Sequence, residues 1–195
     1  VRARLKWAIE CTAEAGGKIC VIHPQTNKGA EENAEMYWEL LPFAKECGVK
    51  IATENMWDWD NVKDQSSFAA CATGEDFLKH IEAVNDEYFV ACLDLGHAEM
   101  RGSGTGAVNM IHTLGKHLQA LHIHDNDQWH DSHQLPFTMK MDFEAIVKAL
   151  KDINYQGDFT LEADQYLKAL DVEDVFDGYK EMARCARKLA DMFER

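Results

Sequence analysis

Apolar positions along the chain change period as it advances. Between Arg2 and Ala15, Leu5, Ala8, Ile9 and Thr12 recur at helical spacing, and the Gly16-Gly17 pair predicts where that helix stops. KICVIHP then reads as a short apolar strand with β-branched residues, closed by Pro24. Helical spacing returns from about Glu31 to Cys47 through Met36, Trp38, Leu41 and Phe43-Ala44, with Gly48 at its end. The alternation continues with strand VKIATEN, a loop of Asp, Trp and Ser, a helix over Gly74–Asn85, strand YFVACLDLGH, a shorter helix over Ala107–His117 and strand LQALHIHDND. After a longer loop, QWHDSHQLPFTMK, Asp142 is placed to cap a helix over Phe143–Ile153, because aspartate accepts from the free amides of a first turn. Gly157 opens a last strand in GDFTLEAD. Asp171 to Glu194 predicts a long helix with Val175, Phe176, Tyr179, Met182, Ala183 and Ala186 as its apolar stripe.

The order is one helix followed by five βα units, with strands about 28 to 40 residues apart, the spacing of a parallel sheet with helical crossovers. A doubly wound sheet that binds nucleotides is expected to carry GxGxxG or a P-loop after a strand. Neither is written here, so the pattern favours an α/β barrel of the (β/α)8 TIM type. Such barrels need eight strands in roughly 250 residues. Five are legible, so the chain is expected to be the C-terminal portion of an incomplete barrel, a single domain over residues 1–195 that lacks its first three βα units. KICVIH would then be an open sheet edge, a surface prone to association and hence to a homo-oligomer.

Composition narrows the partners. Hydrophobic residues are 46% and charged residues 28%, and Lys+Arg 20 against Asp+Glu 34 leaves a net charge of −14. An acid excess spread along the chain repels polyanions, so no nucleic-acid partner is expected, and small neutral or cation-assisted substrates fit better. The six cysteines form no CxxC pair and sit in apolar runs, as reduced buried thiols do. With no apolar stretch of transmembrane length and no leader pattern at VRARLKWAIE, the expectation is a cytoplasmic protein with no membrane partner.

The chemistry collects at the strand ends. Taking the residue at or just past each predicted strand gives His23, Glu54, Asp94 with His97, His122 and Glu162. Any one of these is as well explained by a surface carboxylate or a hydrogen-bonded core imidazole. Five strands in a row are not, because the C-terminal strand ends of a parallel barrel face one mouth, where ligand-type residues distant in sequence converge.

These motifs, HPQTN, TEN, LDLGHAE, LHIHDND with DSH following, and LEAD, resemble the successive strand-end motifs of xylose isomerase-like barrels, the superfamily of sugar phosphate isomerases and epimerases and of endonuclease IV. The likeness runs from about Lys18 to Glu162. It implies a metal-dependent isomerase or epimerase acting on a sugar or sugar phosphate, with one divalent cation held by Glu54, Asp94, His122 and Glu162. Oxygen-rich coordination with one imidazole suits Mn, Mg or Co, with Zn as a further candidate. The implied chemistry is proton transfer beside a carbonyl through an enediolate stabilised by Lewis acidity, with Glu54 and Glu162 as the catalytic bases. His97 resembles a substrate-binding histidine of the family. His23, His124, Asp131, His133 and Trp57 are assigned to the substrate with it. The loop after His122 departs from the ketose epimerases, offering Gln128, Trp129 and His130 in place of an arginine. A related carbohydrate dehydratase or lyase is one alternative. Another is a multi-zinc phosphodiesterase like endonuclease IV, whose added Asp-x-His pair is matched by Asp131 and His133.

Overall fold

The computed structural model describes residues 2–195. In chain order it contains α1 (Arg2–Glu14), β1 (Ile19–Val21), α2 (Ala30–Cys47), β2 (Lys50–Glu54), β3 (Trp57–Asp60), β4 (Gln65–Phe68), α3 (Gly74–Val84), β5 (Phe89–Asp94), α4 (Leu95–Glu99), α5 (Ala107–Leu114), β6 (Leu118–His122), α6 (Phe143–Asp152), α7 (Asp164–Lys168) and α8 (Val175–Glu194). The helix boundaries follow from local chemistry. Gly48 ends α2 in the left-handed region at φ 66°, Thr73 accepts from the Asp76 amide at the start of α3, and Asp142 accepts from the Ala145 amide at the start of α6.

The main sheet is parallel, in the order β1-β2-β5-β6, and forms a curled half-barrel. Side chains alternate between its two faces. Ile51, Phe89, Ala91, Leu93 and Leu121 pack outward into one large core with the helices, where Tyr37, Leu40, Phe77, Met110 and Leu150 are buried. Tyr37 also pins α2 to the sheet, since its hydroxyl donates to the Ile22 carbonyl at 2.9 Å and lies 2.9 Å from Thr53 Oγ1. The inner face carries small residues, Ala52, Val90, Cys92 and Ala120. Ala120, with Ile19, Val21 and His122, lines an open hollow of about 810 Å³ that continues to Tyr155 and Thr160.

Four expectations are corrected. The fifth strand shrinks to a single parallel bridge, Ile123 opposite Leu161, because two backbone hydrogen bonds join that segment to the sheet. The Asp, Trp and Ser loop folds into an antiparallel hairpin of β3 and β4, with Trp57 opposite Phe68. YFVACLDLGH divides at Asp94, whose carboxylate caps α4 and places His97 on a helix, beyond the strand. The stripe of α8 is largely outside the core, with Phe176 80% exposed and Leu189 buried instead. All six cysteines are free, as expected, although Cys11 is exposed and Cys47 and Cys185 are half-buried. No helix among the described residues is long and apolar enough to cross a membrane.

Candidate metal centre

Parallel register brings the first cluster together. Glu54 stands opposite Cys92 across β2 and β5, and Asp94 stands opposite His122 across β5 and β6. All four alternate onto the inner face at the C-terminal end of the sheet. Glu162 enters from the bridged segment, where its amide donates to the Ile123 carbonyl. Glu54, Asp94, His122 and Glu162 then offer ligand atoms within 4.8 Å of one another. His122 Nδ1 lies 3.1 Å from Glu54 Oε1 and 3.0 Å from Glu162 Oε2. His23, at the rim, brings Nε2 to 3.2 Å from Glu54 Oε2.

Two buried oxygens test whether a cation fits. Asp94 Oδ1 is already engaged, by the His97 amide at 2.7 Å and His124 Nε2 at 3.2 Å, while Asp94 Oδ2 is buried with no hydrogen-bond partner. Glu54 Oε2 is likewise buried, with the rim imidazole of His23 at 3.2 Å as its one polar neighbour. Burying unpaired carboxylate oxygens is costly, and a cation compensates them directly. Three carboxylates with one imidazole therefore fit a divalent ion. Electrostatics agree. Burial pushes the Glu54 carboxyl up, but hydrogen bonds from His122 and His23 outweigh it and hold the group below its ordinary value. Burial also works against the His122 imidazolium, which Cys92, Glu162 and Glu54 together raise far above its usual range. The Cys92 thiol, within ligand reach of Glu54 and His122, is pushed up to about 11 by burial and stays neutral.

A second cluster adjoins the first. His97, His124, Asp131 and His133 also offer ligand atoms within 4.8 Å of one another. His97 Nε2 and His133 Nε2 lie 3.3 and 3.1 Å from Asp131 Oδ2, and His124 Nε2 lies 3.4 Å from Asp131 Oδ1. The tautomers of two rings are fixed from behind. His97 Nδ1 donates to the Asn55 carbonyl and His133 Nδ1 to the Glu162 carbonyl, both at 2.8 Å, and a carbonyl can only accept. In the neutral rings both Nε2 lone pairs thus face the carboxylate, an arrangement that requires a proton or a cation between them. Burial opposes the His97 charge, but Asp94 and Asp131 raise the group to about 10. The Asp131 hydrogen bond raises His133 to about 9 against its burial.

Asp125 holds the loop that brings Asp131 and His133 in. Its carboxylate accepts from the backbone amides of Asn126, Thr138, Met139 and Met141 at 2.8 to 3.1 Å. Over the mouth lies the hairpin, where Trp57 Nε1 donates to Asp131 Oδ2 at 3.3 Å and Trp59 stacks on His130. Of the residues assigned to substrate from sequence, His97, His124, Asp131 and His133 gather around one another, and Trp57 joins them. His124 is fully buried, stacked on His133 with ring centroids 4.1 Å apart. Sequence reading missed Asn55, Cys92 and Gly96. Asn55 follows Glu54 directly and was legible as the N of TEN, but a buried amide role has no periodic signature.

Residues 1–189 match the family described as xylose isomerase-like TIM barrel. Two curated relatives are uncharacterized proteins. MJ1311 of Methanocaldococcus jannaschii is 23% identical over 184 residues, 90% of this chain and 60% of that protein. The other, y4fM of Sinorhizobium fredii, is 35% identical over 180 residues, 84% of this chain and 53% of that protein. The chain thus spans little more than half the length of the curated relatives it matches. Among solved structures, a D-tagatose 3-epimerase-like protein superposes with a TM-score of 0.73 at 19% identity, over 97% of this chain and 70% of that one.

Proposed function

Because the chain belongs to the xylose isomerase-like TIM barrel family, we propose that it carries the catalytic centre of a metal-dependent isomerase or epimerase acting on a sugar or sugar phosphate. The observation that carries this reading is the first cluster, two glutamates meeting one imidazole beside an aspartate whose free oxygen is buried and unpaired. The solved epimerase-like neighbour supports it through the shared fold. Glu54, Asp94, His122 and Glu162 would hold the ion. A divalent cation there supplies Lewis acidity toward a carbonyl and its neighbouring hydroxyl. Mn, Mg or Co suit the oxygen-rich set, with Zn as a further candidate.

The two glutamates are not equivalent. The Glu162 side chain is 40% exposed and faces the mouth, whereas Glu54 is 2% exposed. Glu162 is therefore the carboxylate that meets substrate first and takes the proton beside the carbonyl, and Glu54 acts from within the pocket on its return. Trp57, bonded to Asp131, and Trp59, stacked on His130, stand where a sugar face could pack against them. Turnover of ketoses in deuterated water should place deuterium on the carbon beside the carbonyl. Turnover without such incorporation, from a protein with no bound metal by elemental analysis, would remove this reading.

A second reading, a multi-zinc phosphodiesterase like endonuclease IV, is favoured by the second cluster, which offers three imidazoles and a carboxylate beside the first. Against it stands the net charge of −14, since a grip on duplex DNA needs a basic surface. Cleavage of abasic-site duplex, with several zinc ions per chain, would place this reading first.

A further inference from the structure

We infer that Asn55 is a positioning residue for the metal centre, a side-chain amide that extends the pairing of β2 and β5 beyond its last backbone pair and thereby fixes the two strand ends that carry Glu54 and Asp94. The inference rests on the reading of Glu54, Asp94, His122 and Glu162 as metal ligands. The ladder between β2 and β5 ends with Glu54 opposite Cys92. Past that point the Asn55 side chain replaces it. Its Nδ2 donates to the Asp94 carbonyl at 2.9 Å and its Oδ1 accepts from the Asp94 amide at 2.8 Å. A primary amide presents its oxygen and one of its two N–H groups side by side, so Asn55 closes both backbone groups of residue 94 at once.

Three consequences follow from this pairing. Glu54, the residue before Asn55, is tied to Asp94 across the strand ends. The Asp94 backbone is fixed on both polar groups, so its carboxylate spends Oδ1 on the His97 amide and leaves Oδ2 aimed inward. The Asn55 carbonyl also accepts from His97 Nδ1 at 2.8 Å, which sets the ring that faces Asp131. Asn55 is 1% exposed, so water cannot take over either amide contact. Partners behind metal ligands commonly change affinity by about 10- to 100-fold when removed. Asparagine is specific here. Aspartate keeps the acceptor but sets an oxygen against the Asp94 carbonyl, and alanine leaves both Asp94 groups unpaired.

Calorimetric titration of Mn²⁺ into wild-type protein, Asn55→Asp, Asn55→Ala and the control Asn33→Ala tests the inference. Asn33 is equally buried but bonds to the Gln25 and Lys28 backbone and lies 3.2 Å from His80 Nε2, with no hydrogen bond to any of the four ligands. The expected result is a Kd raised about 10- to 100-fold in both Asn55 variants and within twofold of wild type in the control. Co²⁺-loaded protein should show a shifted visible band in Asn55→Asp, a signature that lost stability alone does not produce. Unchanged affinity and an unchanged cobalt spectrum in Asn55→Asp overturn the inference while leaving the metal reading intact. Failure of wild type to bind either ion removes the metal reading and the inference with it. If neither Asn55 variant folds while Asn33→Ala does, the amide serves the fold alone and the inference falls.

Discussion

The two ligand clusters share a mouth but are built in opposite ways. The first is set by the sheet, with Glu54, Asp94 and His122 fixed by strand register and hence by the hydrophobic alternation of β2, β5 and β6. The second is set by a short helix and a loop, with His97 on α4 and Asp131 and His133 on the segment that Asp125 ties down. Their donors differ too. Three carboxylates and one imidazole suit hard cations, whereas three imidazoles and one carboxylate suit zinc and its neighbours. Register-built sites are rigid and loop-built sites adjustable, which suits chemistry in the first and fitting of the mouth in the second.

The comparison breaks most visibly in rate. Glu162→Gln should lower kcat by about 10²- to 10⁴-fold and abolish solvent deuterium exchange, because an amide cannot act as a base. Asp131→Asn should leave kcat within about tenfold, since it removes no proton-transfer group. Steady-state kinetics on the first ketose found to turn over decide between them. If Asp131→Asn is the more damaging change, the loop-built cluster is the chemical one.

Metal selectivity comes next. Mn²⁺ at about a thousand times its Kd should stabilise the protein by about 4 kcal/mol through binding to the folded state alone. For a domain of this size that raises Tm by about 8 to 16 °C. Glu54→Gln should lose the Mn²⁺ response and keep a response to Zn²⁺ carried by the second cluster. Calorimetric scans with each ion read this directly. Loss of both responses together would make the two clusters one site.

The residues of the first cluster were legible in the sequence because strand ends in a parallel sheet converge by rule, and the family resemblance singled out these four among the strand-end residues as candidate ligands. The helix order and the caps at Gly48 and Asp142 were legible for equally local reasons. The residues of the second cluster were named as substrate contacts, and the resemblance paired Asp131 with His133, but their meeting as one ligand set was not legible. Asp131 and His133 lie in a segment with no period, and their meeting with His97 and His124 depends on Asp125 gathering amides from 13 to 16 residues away in sequence. The hairpin of β3 and β4 was missed because WDWD and QSSF carry no apolar face long enough to signal strands. The stripe on α8 misled for another reason. Periodicity shows that a helix has an apolar side, and what covers that side is a matter of tertiary structure.

A smaller effect is expected from Gly96→Ala. A Cβ at that position would stand 2.0 Å from His124 Cε1, so the ring must leave its place over α4. Overpacking of this kind costs about 1–3 kcal/mol, readable as a lower urea midpoint of the metal-free protein. Because His124 faces both Asp94 and Asp131, the shift should weaken zinc binding more than manganese binding. Equal losses for the two ions would show that His124 belongs to the first cluster.

The smallest effect is on pH dependence, where the second cluster contributes through two of its imidazoles. His97 and His133 are raised in the folded protein to about 10 and about 9, against an ordinary imidazole value of 6.5. A raised folded value means that the folded chain holds protons that the unfolded chain has released. Their contribution to stability is full below about pH 6.5 and is lost as pH rises through the folded values, so the metal-free protein should weaken between roughly pH 7 and 10. Zinc in the second cluster replaces those protons, so its apparent affinity should climb over the same window and the slope of stability should flatten once it is bound. Urea midpoints at about pH 6.5, 8 and 9.5, with and without Zn²⁺, measure both effects. Asp131→Asn should lessen the slope by taking away the carboxylate that both imidazoles face, leaving the share held by His122 and by the pairing of His97 with Asp94. Metal-free midpoints that stay level across this range would show that His97 and His133 are neutral, and that their lone pairs do not meet the carboxylate.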